Sequence, residues 1–452
     1  MKKLLAEKIV EFAQSLPAPL YVVGGFVRNF LIDGKPSKDV DLASPMGTDT
    51  LVELAEKFGI KVVAHYKRVH TVVLQIEKQK YEFTSFRKEE YENGGAHAPS
   101  HASLTSDIME DATRRDFKCN AIYYDVKDGR FVDPLGGIED VKNKTLDTVV
   151  SPDLVFEHDG LRLMRLARFA GELGFTPTDS VLKSARKNAK NVNDISAERV
   201  YAELTDMLVA DKKHDFSPKD GHYRALKVLD STRVLDEILP ELTLGRGMAQ
   251  RSDFHNYDVL EHTLKSVMYA HHSVRLPALL HDVGKPKRMI EYGKYHSHDV
   301  EGKILARKIL ARLKAPVVVA RETEFLVGAH MLDLKCDMRE NKVRLFIVEN
   351  YGYIDKLLKL KTADYNACKD AKGEPESVIK WKEIIKKMKA DGTPFCIKDL
   401  KLSATELMAL GFTGKEIGET LKRLFRHAVL TPSDNKKEKL VKLAYSRNGV
   451  DK

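Results

Sequence analysis

Residues 20–44, LYVVGGFVRNFLIDGKPSKDVDLAS, restrict the possible folds more than any other stretch of the chain. An apolar run, Leu20–Val23, meets the pair Gly24-Gly25. FVRNFLI then has helical spacing, Gly34 and Pro36 mark a loop, and Asp39-Val40-Asp41 sits among apolar neighbours. The order is strand, glycine turn, helix, loop, strand. Glycines at a strand-to-helix turn let backbone N–H groups approach a phosphate, and the helix N-terminus adds a favourable field. Acids two apart on a strand point to one face, and such a pair can hold the divalent cations that phosphoryl transfer uses. A tight turn or a solvated acidic edge would explain either feature alone. Gly24, Gly25, Arg28, Asp39 and Asp41 together favour a phosphate-and-metal site.

The 452 residues allow about two to four domains. A hydrophobic content of 43% against 31% charged residues is that of a globular chain, and no stretch is apolar and long enough to span a bilayer. Glu7, Lys8 and Glu11 interrupt the first apolar run, which makes it an amphipathic helix and not a signal peptide. The four cysteines are scattered, with no CxxC pair, so the expectation is a reduced, cytoplasmic protein without a zinc knuckle. The formal charge of +9 suits a polyanionic partner, and it is uneven: residues 381–452 hold 16 Lys and Arg against 9 Asp and Glu.

After the opening stretch, Thr48–Gly59 reads as a helix, and Lys61–His65, Thr71–Ile76 and Lys80–Ser85 as short strands of a mixed α/β region. Glu82 sits where a third carboxylate can join Asp39 and Asp41, or simply face solvent. Residues 92–104 have the composition of a loop. Arg114-Arg115-Asp116 lies against apolar Phe117 and Ala121–Tyr124, and arginines in such a setting need a carboxylate or phosphate. Asp116 either orients one of them or accepts a ribose hydroxyl.

Gly24-Gly25-x-Val27-Arg28, then Asp39-x-Asp41, then Arg114-Arg115-Asp116-Phe117-x-x-Asn120 resembles, in order and spacing, the motif series of the class II tRNA nucleotidyltransferases, the CCA-adding enzymes and related poly(A) polymerases. The resemblance implies an α+β chain: a polymerase-β-like head of mixed sheet and helices (1–147), then an all-α neck (148–215), body (216–370) and tail (371–452). It implies Asp39 and Asp41 as catalytic Mg²⁺ ligands. Gly24, Gly25 and Arg28 would hold the triphosphate, with Arg115, Asp116 and Asn120 at the incoming nucleotide. Residues 131–147 resemble the family's flexible third motif, with Gly136-Gly137 as a hinge. Asn29 departs from the family's usual Asp, which weakens any pairing of that position with an arginine.

Phe156–Gly171 reads as one helix, on which Asp159 and Arg162 share a face. Alone they suggest an intrahelical ion pair; in the family they resemble the pair that reads the incoming base. An ionised Asp only accepts hydrogen bonds and an Arg only donates them. Together they match an exocyclic amine beside an unprotonated ring nitrogen, the edge that C and A offer and U and G do not. His158 stands where the family has Glu. In the following helix, Ile195–Leu208, Ser196 is a candidate N-cap and Arg199–Glu203 a candidate surface pair.

His262, His281-Asp282, His298, His330 and Asp364 follow in an order that resembles the HD phosphohydrolases, which implies a divalent-metal site at His262, His281, Asp282 and Asp364. Packing histidines are the alternative; His255 and His296 fall outside the pattern. Residues 371–376 are linker-like. In the tail, Gly411–Gly414 is a glycine turn that opens a helix. Lys386, Lys387, Lys389, Lys422, Arg423, Arg426, Lys436, Lys437 and Lys439 supply charge for an RNA backbone. The implied activity is addition of C, C and A to tRNA 3′ ends from CTP and ATP, without a membrane partner. CC-only, A-only and poly(A) addition, and a mainly phosphohydrolase role, stay open.

Overall fold

The computed structural model describes residues 1–90, 101–253, 255–370 and 372–446. They form two compact units: Met1–Thr243 with Arg312–Ala315, and Leu244–Ala311 with Pro316–Lys452. The first runs from a mixed sheet into helices, and the described residues of the second contain helices and no strands.

The strands are β1 (Tyr21–Val23), β2 (Val40–Ser44), β3 (Lys61–Tyr66), β4 (Thr71–Ile76), β5 (Gln79–Ser85), β6 (Arg87–Glu90), β7 (His101–Leu104), β8 (Tyr123–Asp125), β9 (Phe131–Val132), β10 (Thr145–Leu146) and β11 (Thr176–Pro177), the last two a short parallel pair that puts a strand in the neck expected to be all helical. Seven of them make one sheet in the order β3–β4–β5–β2–β1–β8–β9. In β5, Tyr81, Phe83 and Ser85 face the core while Lys80 and Glu82 face out, the period of two that a half-buried strand requires. β2 is buried except at Asp41. Asp41 stands opposite Val23 of antiparallel β1 and opposite Glu82 of parallel β5. Ile9, Phe12, Leu20, Val22, Leu42, Leu74 and Phe83 have at most 1% of their surface exposed. Each stabilises the fold by about 1.5–3 kcal/mol.

Several expectations need correction. The strand begins at Val40, so Asp39 sits just before β2 and only Asp41 lies within it. His101–Leu104 is not loop: it pairs antiparallel with β6, and residues 92–100 lie outside those described. Gly137 opens the Gly137–Asn143 helix, and a Cβ there would stand 2.1 Å from the Lys118 carbonyl, so close packing requires glycine at that position.

The single helix expected over 156–171 is two. Pro152–His158 ends at Asp159, whose backbone is extended, and Leu161–Leu173 begins after Gly160. The Asp159 carboxylate accepts from the Leu161 N–H at 2.9 Å, so it caps the second helix. Gly160 presses on a neighbouring turn, where a Cβ would lie 2.0 Å from the Asn191 carbonyl oxygen. Ser196 does precede the Ala197–Met207 helix but makes no side-chain cap, and Glu203 pairs with Arg168 at 2.6 Å rather than with Arg199.

In the second unit, Leu400, Leu402, Leu407, Phe412, Leu424, Ala428, Leu440 and Ala444 build a small core at the C-terminal end. Gly414 opens the Lys415–Leu430 helix as expected. Arg423 is not a free cation there. Its guanidinium donates to the carbonyls of Leu443, Ala444 and Ser446 and closes the Lys437–Tyr445 helix.

Candidate active site

Gly24 ends β1 with φ +77, a conformation that favours glycine, and a Cβ there would lie 3.1 Å from Asp41 Oδ2. The corner and the acid are therefore in contact. Gly24, Gly25, Arg28, Asp39, Asp41, Arg115, Asp116, Asn120, Asp159 and Arg162, all expected from the sequence, line one cleft of about 530 Å³. Asp39 and Asp41 both face solvent. Among the described residues no basic side chain is ion-paired with either. Desolvation raises the Asp41 carboxyl above its ordinary value; Arg115 lowers it, and Glu82 and Asp39 raise it further. Clustered carboxylate oxygens with no direct ion-pair partner fit a hard divalent cation. Glu82 contributes charge to this group but does not line the cleft.

Arg28 is buried, donating to Asn29 Oδ1 from Nε (3.1 Å) and NH2 (2.9 Å) and to Asn120 Oδ1 from NH1 (2.5 Å). Asn29 thus keeps the arginine contact that a charged residue would make. Its Nδ2 lies 3.5 Å from His214 Nδ1, and burial and Arg28 push that imidazole down to about 4, so it is neutral at pH 7.

Arg114 and Arg115 both pair with Asp111, at 2.8 and 3.1 Å. Asp116 does orient an arginine, though not one of those two. Its Oδ2 takes Nε (2.8 Å) and NH2 (2.6 Å) of Arg165, while Oδ1 accepts from the Phe117 N–H and from Asn120 Nδ2. Burial works against the charged form, but Arg165 and Asn120 hold the Asp116 carboxyl well below the carboxylate range. Arg28, Arg165 and Arg168 surround the Phe169 ring, 5.1, 5.0 and 4.4 Å from its centroid. The sequence reading missed Arg165, Arg168 and Phe169 as cleft residues. Arg165 follows Arg162 by one helical step, which was a usable signal.

Asp159 and Arg162 share the cleft but are not ion-paired with each other. Arg162 is buried and donates from NH2 to the Arg114 carbonyl at 2.6 Å, which ties the Leu161–Leu173 helix to the Arg114–Asp116 segment. Burial and the Arg162 charge hold His158 below its ordinary value, so it is neutral where the family has a charged Glu.

The second unit brings the expected His262, His281, Asp282 and Asp364 together. His262 Nε2 lies 3.3 Å from Asp282 Oδ2 and 3.0 Å from Asp364 Oδ1; His281 Nε2 is 3.2 and 3.5 Å from the same atoms. His298 and His330 join at the other oxygen, 3.2 and 3.7 Å from Asp282 Oδ1. Gly284 permits this: a Cβ there would be 2.1 Å from the His298 carbonyl oxygen, so only glycine lets the His281-Asp282 segment approach. His281, His298 and His330 donate Nδ1–H to the carbonyls of Ala278, Tyr295 and Val327, which turns each Nε2 inward toward the carboxylates. Against the effect of burial, Asp282 and Asp364 push His281 up to about 10. A cluster that draws a proton onto a buried imidazole is one that a cation would satisfy.

Residues 20–147 match the family model for the poly A polymerase head domain, and residues 174–244 that for a probable RNA- and SrmB-binding site of polymerase A. The Bacillus stearothermophilus CCA-adding enzyme, solved in complex with CTP, shares the fold: TM-score 0.67 and 21% identity, covering 98% of this chain and 97% of that one. The chain is 33% identical over 338 residues to the A-adding tRNA nucleotidyltransferase of Deinococcus radiodurans, covering 71% of this chain and 75% of that protein. It is 32% identical over 362 residues to the multifunctional CCA protein of Neisseria gonorrhoeae, covering 77% of this chain and 82% of that protein. The chain belongs to the tRNA nucleotidyltransferase family. No helix among the described residues is long and apolar enough to cross a membrane.

Proposed function

We propose that the first unit adds C, C and A, without a nucleic-acid template, to the 3′ end of tRNA from CTP and ATP, releasing pyrophosphate. The observation that carries this is the meeting of the Gly24 corner, Asp39, Asp41, Arg28 and the Asp159–Arg162 segment in one cleft. Asp39 and Asp41 are the residues to hold Mg²⁺. Cations bound there would activate the primer 3′-hydroxyl and offset triphosphate charge. The Gly24-Gly25 backbone and Arg28 receive the triphosphate. Asp116 has both oxygens taken by Arg165, the Phe117 N–H and Asn120, so its role is to position Arg165 in the cleft, with Arg115 and Asn120 beside it. Asp159 accepts from the exocyclic amine of C or A, and Arg162 donates to the adjacent ring nitrogen. A buried mismatch costs about 1–3 kcal/mol per group, so U and G are rejected.

We assign residues 1–147 to the head, 148–215 to base selection, 216–370 to the HD-type body and 371–452 to tRNA backbone binding. Lys386, Lys389, Lys422 and Lys436 are exposed, with no carboxylate partner among the described residues. The experiment is product mapping on tRNA ending at the discriminator base, with CTP and ATP singly and together. CCA products support the reading. Products extended only by A on a tRNA already ending in CC would assign the activity named for the Deinococcus relative. Long A tracts would make it a poly(A) polymerase.

The cluster in the second unit supports a second activity, metal-dependent hydrolysis of a phosphate ester, with His262, His281, Asp282 and Asp364 as ligands and His298 and His330 completing the far side. A metal held there would supply a hydroxide. Incubation with Ni²⁺ or Mg²⁺ and a 2′,3′-cyclic phosphate tests it; no turnover would leave the cluster a structural one.

A further inference from the structure

Beside the HD-type cluster lies a second donor group of different chemistry. A donor atom of each of His255, His262 and Cys368 lies within 4.8 Å of the other two. His262 has no exposed surface, and its Nδ1 has no hydrogen-bond partner; the buried Nδ1 of His255 has none either. A buried imidazole nitrogen without a partner is destabilising, and here two occur side by side, with ring centroids 4.7 Å apart. Cys368 follows Asp364 by one turn of the Tyr351–Lys369 helix, its Sγ 3.4 Å from the Asp364 carbonyl oxygen. His255 and Cys368 also line a cavity of about 790 Å³, which gives an ion a way in.

We infer that His255, His262 and Cys368 form a soft-cation site that takes Zn²⁺ or Cd²⁺ through a thiolate. Two imidazoles and one sulfur leave a fourth position open, and sulfur selects Zn²⁺ and Cd²⁺ over Mg²⁺ and Mn²⁺, which prefer oxygen. Binding releases the thiol proton to solvent. His262 belongs to both groups, and a neutral imidazole has one lone pair to give. A soft cation held with Cys368 therefore withdraws His262 from Asp282 and Asp364 and turns the neighbouring cluster down. This last consequence rests on the phosphohydrolase reading; the site itself does not.

The test is titration of the full-length, chelator-stripped chain with Co²⁺. The expected result is a thiolate-to-cobalt charge-transfer band in the near ultraviolet, retained in Cys336→Ser and lost in Cys368→Ser. His255→Ala weakens Co²⁺ binding about tenfold or more. Unchanged circular dichroism and urea unfolding of the same variants show that the second unit is folded. In the wild-type chain, Zn²⁺ should also protect Cys368 from iodoacetamide, read by peptide mass. Absence of the band at saturating Co²⁺, its persistence in Cys368→Ser, or unprotected Cys368 would each overturn the assignment. The band in a chain that hydrolyses no cyclic phosphate supports the site and removes only its inhibitory effect.

Discussion

Asp41 is the one exposed residue in a strand otherwise buried, and it faces Glu82 across the sheet. A carboxyl whose folded value is raised costs stability as pH rises from the unfolded value near 4 through the folded one, because the charged form is the disfavoured one. Asp41→Asn should therefore raise the melting temperature in EDTA at pH 7 while abolishing incorporation; a variant both active and less stable would contradict the metal assignment. Asp116 is the reverse case. Its contribution is complete above the unfolded value near 4 and is lost as pH falls toward the depressed folded value. Asp116→Asn removes the charge that holds Arg165 and should cost about 1–3 kcal/mol at pH 7. In urea unfolding the gap to wild type should shrink at pH 3. The sequence offered Asp116 either a neighbouring arginine or a ribose hydroxyl and did not point to Arg165, because Arg165 lies 49 positions away and only the fold brings them together.

At the scale of elements, glycines set the site. Gly160 breaks what periodicity alone reads as a continuous helix, since Phe156 before it and Leu161, Met164, Leu166 and Phe169 after it keep an apolar helical pattern. The clue was Asp-Gly, a cap-and-turn pair, outweighed by the apolar pattern. Gly160→Ala should cost about 1–3 kcal/mol by overpacking against Asn191 and move Asp159, so UTP incorporation should rise relative to CTP. Unchanged base choice in a folded Gly160→Ala chain would count against Asp159 as a base reader. Gly284→Ala pushes the His281-Asp282 segment from His298. Bound divalent metal in the second unit should fall while incorporation by the first is retained, measured by elemental analysis beside a tRNA assay.

For the whole molecule, the mixed sheet with its glycine corner, the helical remainder and the basic end were legible, because each rests on a local pattern. Less legible was how charge is spent. Arg423 caps a helix, and Lys437 and Lys439 pair with Glu406 and Asp434, so the net excess overstates the cations free for RNA. Lys422→Ala should flatten the salt dependence of tRNA binding by a slope of about 0.9 or less. Arg423→Ala should instead loosen the C-terminal helices.

Single-turnover incorporation on tRNA lacking its 3′ end, by Asp39→Ala and Asp41→Ala beside wild type, reaches the central claim most directly. The account predicts a loss of about a thousandfold or more in each, with tRNA affinity within about twofold of wild type. Incorporation near the wild-type rate in either variant would contradict it.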